Sequence, residues 1–201
     1  MENQLDIFEQ AKQKIQDAKK SYLSKAINKK SKFSYNLQKK RPKYILKATN
    51  DMPYIKKLIF ELQDSEQINL MSNAFDSPSI IHAIKSAEKI KEVICSTWAI
   101  TDRGLQMFQE VSEGCKCYLL LDKTYSYKWV FESGAVAFLK NVHMKFSENH
   151  SKCILIQTEN NYYTFVGSMN LSNNPRIENI TITKDKEVFN FYREFILNEF
   201  K

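Results

Sequence analysis

At 201 residues the chain suits one domain with a buried core plus an appendage. The net charge of +7 is unevenly placed: eleven of the 30 Lys and Arg residues stand between Ala18 and Asn50, a stretch with no Asp or Glu, so the remainder is net acidic. No apolar run approaches the length of a membrane span, and Met1 to Asp6 lacks the basic-then-apolar order of a signal peptide, so stable membrane insertion is excluded and a cytoplasmic setting is expected.

Residues 3 to 30 predict an amphipathic helix, because Leu5, Phe8, Ala11, Ile15, Ala18, Tyr22 and Ala26 recur at three- and four-residue intervals. Residues 31 to 50 are polar, basic and broken at Pro42, which reads as a linker or arm. A helix from Pro53 to Leu62 follows, with Asp51 as N-cap and Pro53 in the first turn. From Gln67 onward, apolar runs at Gln67 to Phe75, Glu92 to Ile100 and Cys115 to Asp122 alternate with helical patterns at Ser79 to Lys91 and, capped by Thr101 or Asp102, through Val111. That order implies an α/β fold with a mainly parallel or mixed sheet flanked by helices. Tyr125 to Glu132 reads as helical. A strand over Glu178 to Thr183 and a helix from Glu187 to Phe200 close the chain, the helix burying Val188, Phe191, Phe195 and Ile196. The expected division is a helix and basic arm over 1–50 and a catalytic domain over 51–201. No internal repeat is visible.

The chemistry lies in residues 150 to 179. A phosphodiesterase that works without a metal needs a nucleophilic imidazole, a cation and neutral donors for the phosphoryl oxygens, and a carboxylate to fix the imidazole tautomer. His150 and Lys152 share one face of an extended strand, with Ser151 opposite. The β-rich run Tyr162 to Val166 ends at Gly167, whose missing side chain lets the chain turn and bring Ser168 and Asn170 back to the strand end. Glu178 follows. A second H-x-K, His143-Met144-Lys145, leads into Phe146-Ser147-Glu148-Asn149, which reads as neither a buried strand nor a lead-in to one, and His150 is preferred.

This stretch resembles the signature of the phospholipase D superfamily: H-x-K, four residues, D, then a G-S-x-N turn and a later glutamate. His150, Lys152, Gly167, Ser168, Asn170 and Glu178 match, while Gln157 stands where the family has aspartate. The resemblance implies catalytic roles for His150, Lys152, Ser168, Asn170 and Glu178, with a phosphohistidine formed on His150. It also implies a homodimer, since the family's site uses two H-x-K motifs and this chain has one suitable copy. Neither a metal nor a cofactor is called for: the four cysteines form no C-x-x-C spacing, and with three histidines they leave no zinc set. The cysteines read as reduced core residues. Trp98, at the carboxyl end of the second run, is open to two readings, a core ring or the wall of a substrate groove.

The basic segment interleaves Lys29, Lys30, Lys32, Lys39, Lys40, Arg41 and Lys43 with Phe33, Tyr35 and Tyr44, a mixture suited to phosphates and stacked bases. DNA or RNA is the expected partner; a solvated face and an anionic membrane surface are the alternatives. The function expected is a nuclease. Its rivals are a catalytically degenerate nucleic-acid-binding protein, which Gln157 favours, and a phosphodiesterase acting on phospholipid headgroups.

Overall fold

The computed structural model describes residues 43–64, 66–74, 76–124, 130, 139, 141–172 and 176–201. The helix expected over residues 3 to 30, the basic positions Lys29, Lys30, Lys32, Lys39, Lys40 and Arg41, and all of the segment Tyr125 to Glu132 except Val130 lie outside the described residues. In chain order the elements are β1 (Lys43–Ala48), α1 (Met52–Glu61), β2 (Glu66–Ser72), α2 (Ser77–Ala87), β3 (Ile90–Thr97), α3 (Asp102–Ser112), β4 (Lys116–Asp122), β5 (Val142–Ser147), β6 (Cys153–Thr158), β7 (Tyr162–Gly167), β8 (Glu178–Lys184) and α4 (Lys186–Asn198).

The eight strands form one sheet in the order β1-β2-β8-β7-β6-β3-β4-β5. Its flanks are parallel, β1 with β2 and β3 with β4 and β5, as β-α-β connections require where a helix intervenes. Its centre is antiparallel, where β6 and β7 are joined by three residues and β7 returns to β8. The sheet is therefore mixed, and six strands run one way while β6 and β8 run the other. One edge of the sheet consequently gathers the carboxyl ends of β2, β3, β4, β5 and β7 with the amino ends of β6 and β8. This edge carries the motif.

Alternation sends each strand's residues to two cores. Val93, Cys95, Ile154, Ile156, Phe165, Ile180 and Ile182 pack with Ile55, Ile59, Ile81, Ile84 and Phe108 of α1, α2 and α3. On the opposite face Ile94, Leu120, Cys153 and Leu155 pack with Phe189 and Ile196 of α4. That last contact corrects the expected stripe: Phe189, Tyr192 and Ile196 face the sheet, while Phe195 is 51% exposed, because the seat of the helix on the sheet decides which of its apolar residues are covered. α1 keeps its expected start, with Asp51 accepting from the Tyr54 amide at 3.5 Å.

Two strands were not expected. Lys43 to Ala48, read as part of the arm, is an edge strand paired in parallel with β2. Ile45 packs on the larger core while Leu46 is 76% exposed. Val142 to Ser147, which contains the second H-x-K, is the other edge strand. Edge strands need to bury little, so their side-chain pattern is weak.

Candidate active site

His150 and Lys152 do not lie in a strand but in the extended residues just before β6. Their alternation still holds. Ser151 turns towards Ser96 and Asn149, while His150 and Lys152 turn to the other side, against Trp98. The His150 and Trp98 ring centroids are 5.5 Å apart, and Lys152 Nζ lies 5.9 Å from the Trp98 ring. Trp98 is half-buried, so it forms a wall of this cluster rather than a member of the core. The Lys152 ammonium donates to the His150 carbonyl at 3.0 Å. Partial burial holds its pKa below the ordinary lysine value, against the opposing pull of the nearby Glu178 charge.

The segment bearing His150 is fixed by its neighbour. Asn149 is 8% exposed and uses its whole amide. Its Nδ2 donates to the carbonyls of Thr97 at 3.1 Å and Leu120 at 3.2 Å, and its Oδ1 accepts from the Ser151 amide at 3.0 Å and hydroxyl at 2.6 Å. Its own amide donates to Asp122 at 3.3 Å. The ends of β3 and β4 are thereby tied to the lead-in of β6.

Gly167 closes β7 beside β8, and its amide donates to the Lys152 carbonyl at 3.3 Å. It is required by close approach: a Cβ there would meet the Asn179 carbonyl oxygen at 2.1 Å and Ile180 Cα at 2.9 Å. The next residue exploits that closeness. Ser168 donates its amide to the Asn179 carbonyl at 3.0 Å and its hydroxyl to the Glu178 carboxylate, and accepts from the Asn179 amide at 3.1 Å. Glu178 is 7% exposed at the first position of β8. Asn170 is anchored through its backbone, its carbonyl accepting from Ser77 Oγ at 2.8 Å, and its Oδ1 stands 3.4 Å from Thr97 Oγ1.

All five expected catalytic residues thus lie at one edge of the sheet, around β3, β6, β7 and β8. Ser168 touches Glu178, and Glu178 acts electrostatically on Lys152. Gln157 is elsewhere: it lies near the far end of β6, opposite Glu92 and Tyr162, roughly 13–17 Å along the strand from Lys152. The rival H-x-K is elsewhere too, with His143 stacked on Tyr118 at 4.9 Å near the start of β5. Lys43, the one described member of the expected nucleic-acid set, pairs with Glu66 at 2.9 Å at that same far edge. The residue that the sequence did not single out for the site is Asn149, which directly precedes His150 and has no spacing signature. Clefts of about 620 and 780 Å³ open at the far edge and border none of the five. Among the described residues no group of three or more His, Cys, Asp or Glu is placed to hold a metal, and no helix is long and apolar enough to cross a membrane.

No family model and no curated protein matches the chain. Solved structures do. Nuc, a phospholipase D family member from Salmonella typhimurium, superposes with a TM-score of 0.53 at 13% identity, over 67% of this chain and 93% of that one. A polyphosphate kinase from Porphyromonas gingivalis superposes at 0.50 and 10% identity, over 65% of this chain but 23% of that larger one. With the mixed sheet and its flanking helices, these likenesses establish that the chain has the phospholipase D-like α/β fold.

Proposed function

We propose that the chain is a metal-independent phosphodiesterase that cleaves DNA or RNA, working as a homodimer with one His150 from each subunit at a shared site. The observation that carries this reading is the gathering of His150, Lys152, Ser168, Asn170 and Glu178 at one sheet edge, with His150 exposed. Each group has a task suited to its chemistry. The imidazole of one subunit attacks phosphorus, forming an N–P bond as the P–O bond breaks, and the mate's imidazolium gives its proton to the leaving oxygen. That second imidazole then takes a proton from water, which attacks phosphorus and releases the first.

Lys152 and Asn170 hold the non-bridging oxygens as charge grows on them, a role that needs a fixed cation and a fixed amide. Asn170 is pinned through its carbonyl by Ser77, and Lys152 rests on an indole face and a backbone carbonyl, contacts that a phosphoryl oxygen can replace. Glu178 fixes the imidazole tautomer, as a carboxylate does in a catalytic triad, with Ser168 holding the carboxylate in place. Gln157 takes no part, because it sits at the other end of β6. The degenerate-site reading accordingly loses the residue that favoured it.

Nucleic acid is the favoured substrate because the six basic residues from Lys29 to Arg41 can follow a polyanion. Purified full-length protein incubated with single- and double-stranded DNA and RNA in excess EDTA tests the chemistry. Cleavage is expected, with a phosphoramidate on His150 recovered by rapid quench and mass spectrometry. Cleavage that dies with chelator and returns with Mg²⁺ rules the mechanism out, and a monomer that still cleaves rules out the shared site. Shortening the chain to begin at Lys43 keeps β1 and removes eleven Lys and Arg residues, those six among them. If five of them neutralise phosphates, the salt slope of duplex binding should fall by roughly 4 to 5 units. An unchanged slope in a preparation that remains dimeric would return the segment to a solvated face.

A further inference from the structure

At the end of β4 away from the motif lies a dithiol that the phosphodiester chemistry leaves unused. Cys115 ends the turn after α3, and Cys117 is the second residue of β4. Residues two apart on extended backbone point the same way, and their Sγ atoms are 3.6 Å apart. The two thiols differ in surroundings. Cys117 is fully buried, whereas Cys115 is half-buried and borders two open clefts that share Lys89, Glu113 and Gly114. Lys85 and Glu110 border one of them, and Lys85 is held there by donating to the Glu110 carbonyl at 2.8 Å.

The hydrogen bond shared with Cys117 holds the Cys115 thiol below the ordinary cysteine value; burial and the Glu92 charge oppose this and the Lys85 charge assists it. The same bond and burial push Cys117 far up. Cys95 and Cys153 are buried and also pushed up by burial. A partly exposed, cation-flanked sulfur beside a buried partner is the arrangement of a reactive thiol with its resolving thiol.

We propose that Cys115 and Cys117 form a redox modification site that takes a small disulfide, of which oxidised glutathione is the type, and closes to an intrachain disulfide. The Cys115 thiolate attacks one sulfur of oxidised glutathione. A protein–glutathione disulfide forms, the glutathione S–S bond breaks, and the departing thiolate takes up the proton that Cys115 lost. Cys117 then yields its proton to solvent and attacks Cys115 Sγ, expelling a second glutathione thiolate, which is protonated in turn. Two protein thiols lose two electrons and two protons, and one oxidised glutathione becomes two reduced molecules. Closure brings the sulfurs to about 2.0 Å. Gly114, with open space where a side chain would stand, gives the preceding turn room to move. A ring spanning one intervening residue is tight, so the bond is readily reduced, as in a regulatory disulfide.

The test is native full-length protein incubated with oxidised glutathione, followed by intact mass and peptide mapping. The wild-type chain should lose two hydrogens, map to a Cys115–Cys117 bond and revert with dithiothreitol. C117S should retain one glutathione on Cys115, and C115S should stay unmodified. An unmodified wild type, glutathione on any other cysteine, or C115S that reacts like wild type overturns the proposal. Iodoacetamide on the unmutated protein gives a readout that needs no variant to fold. Cys115 should be alkylated at least about tenfold faster than the other three, and equal rates overturn the proposal.

Discussion

At the motif edge of the sheet, Lys152 rests on an indole ring and a backbone carbonyl, and His150 is exposed against the same ring; at the opposite edge, Glu88 is ringed by three donors. Thr158 Oγ1 at 2.6 Å, Asn161 Nδ2 at 2.8 Å and Tyr163 OH at 2.6 Å all donate to Glu88, which binds the end of α2 to the β6–β7 turn. Nearby, Arg193 of α4 makes a two-pronged pair with Glu92 of β3, at 2.6 and 3.0 Å. Charge at that edge is consumed in holding elements together. At the motif edge the contacts of Lys152 are ones that a phosphate can take over, and the segment bearing His150 is held by Asn149, which is anchored on the carbonyls of Thr97 and Leu120 and on the Asp122 carboxylate. The difference teaches that the partners a charge already holds, more than its residue type, separate a structural charge from one available to a ligand.

The sharpest way to break the comparison is to remove the imidazole. His150→Ala should lower turnover by on the order of 10⁶-fold, the scale of losing a covalent nucleophile, with little change in thermal stability or in nucleic-acid affinity. His143→Ala should leave the rate unchanged, because that ring, in β5, is stacked on Tyr118 of β4 away from the motif edge. Steady-state kinetics on one oligonucleotide with both variants decides it, and a dead His143 variant would transfer the chemistry to the other H-x-K.

Gly167→Ala attacks the motif edge through its backbone. The added carbon meets main-chain atoms of Asn179 and Ile180, so β7 and β8 must part. A loss of about 3 kcal/mol in urea unfolding is expected, together with a fall in activity as Ser168 and Glu178 separate. Gly114→Ala, with nothing within 4 Å, is the neutral control.

Glu88→Ala should do the reverse, weakening the fold and sparing the rate. It takes the acceptor from the buried Tyr163 hydroxyl and leaves that of Thr158 with only the Asn161 carbonyl at 3.4 Å, a cost of about 1–3 kcal/mol. The pH dependence has a definite sign. Burial raises the Glu88 pKa, but the hydrogen bonds from Thr158, Tyr163 and Asn161, with the Lys184 charge, outweigh it and hold the value below the usual 4.5. A depressed folded-state pKa adds stability that is present above 4.5 and lost as pH falls through the folded value. Thermal melts from pH 6 downward should therefore fall more steeply for wild type than for Glu88→Gln. Equal slopes would deny Glu88 this role.

Much of this was legible in the sequence, for identifiable reasons. The motif residues converge because strand alternation and a strand-ending glycine are local properties, and the helix from Asp51 was readable from its cap. What was lost depends on neighbours. Lys43-Tyr44-Ile45-Leu46-Lys47-Ala48 has no period-two pattern, since Leu46 points outward on an edge strand. The reason for Gly167 is the approach of β8, which no reading of residues 162 to 170 contains. The C-terminal stripe shifted because Val188, Phe191 and Phe195 are as apolar as Phe189 and Ile196, and only the seat on the sheet chooses between them. Gln157 stands at the motif's aspartate position, and only the course of β6 shows that this is the end of the strand away from the site.

Lys43 carries the smallest expected effect and the finest test of the edge argument. By sequence it belongs with the basic run from Lys29 to Arg41, one more cation for a polyanion. By position it starts β1 at the far edge, where its ammonium meets Glu66, whose pKa is lowered first by that hydrogen bond and then by the Gln63 amide. A cation already paired gains less from a phosphate, because the carboxylate must be released first. Lys43→Gln should therefore change the salt slope of duplex binding by well under the roughly 0.9 unit that one phosphate contact contributes, and leave cleavage unchanged. Lys39→Gln or Arg41→Gln, measured beside it, should each approach that full unit. A Lys43 variant that loses as much slope as those two would show that the far edge also meets the nucleic acid, and that a pairing seen in the free protein does not withhold a cation from binding.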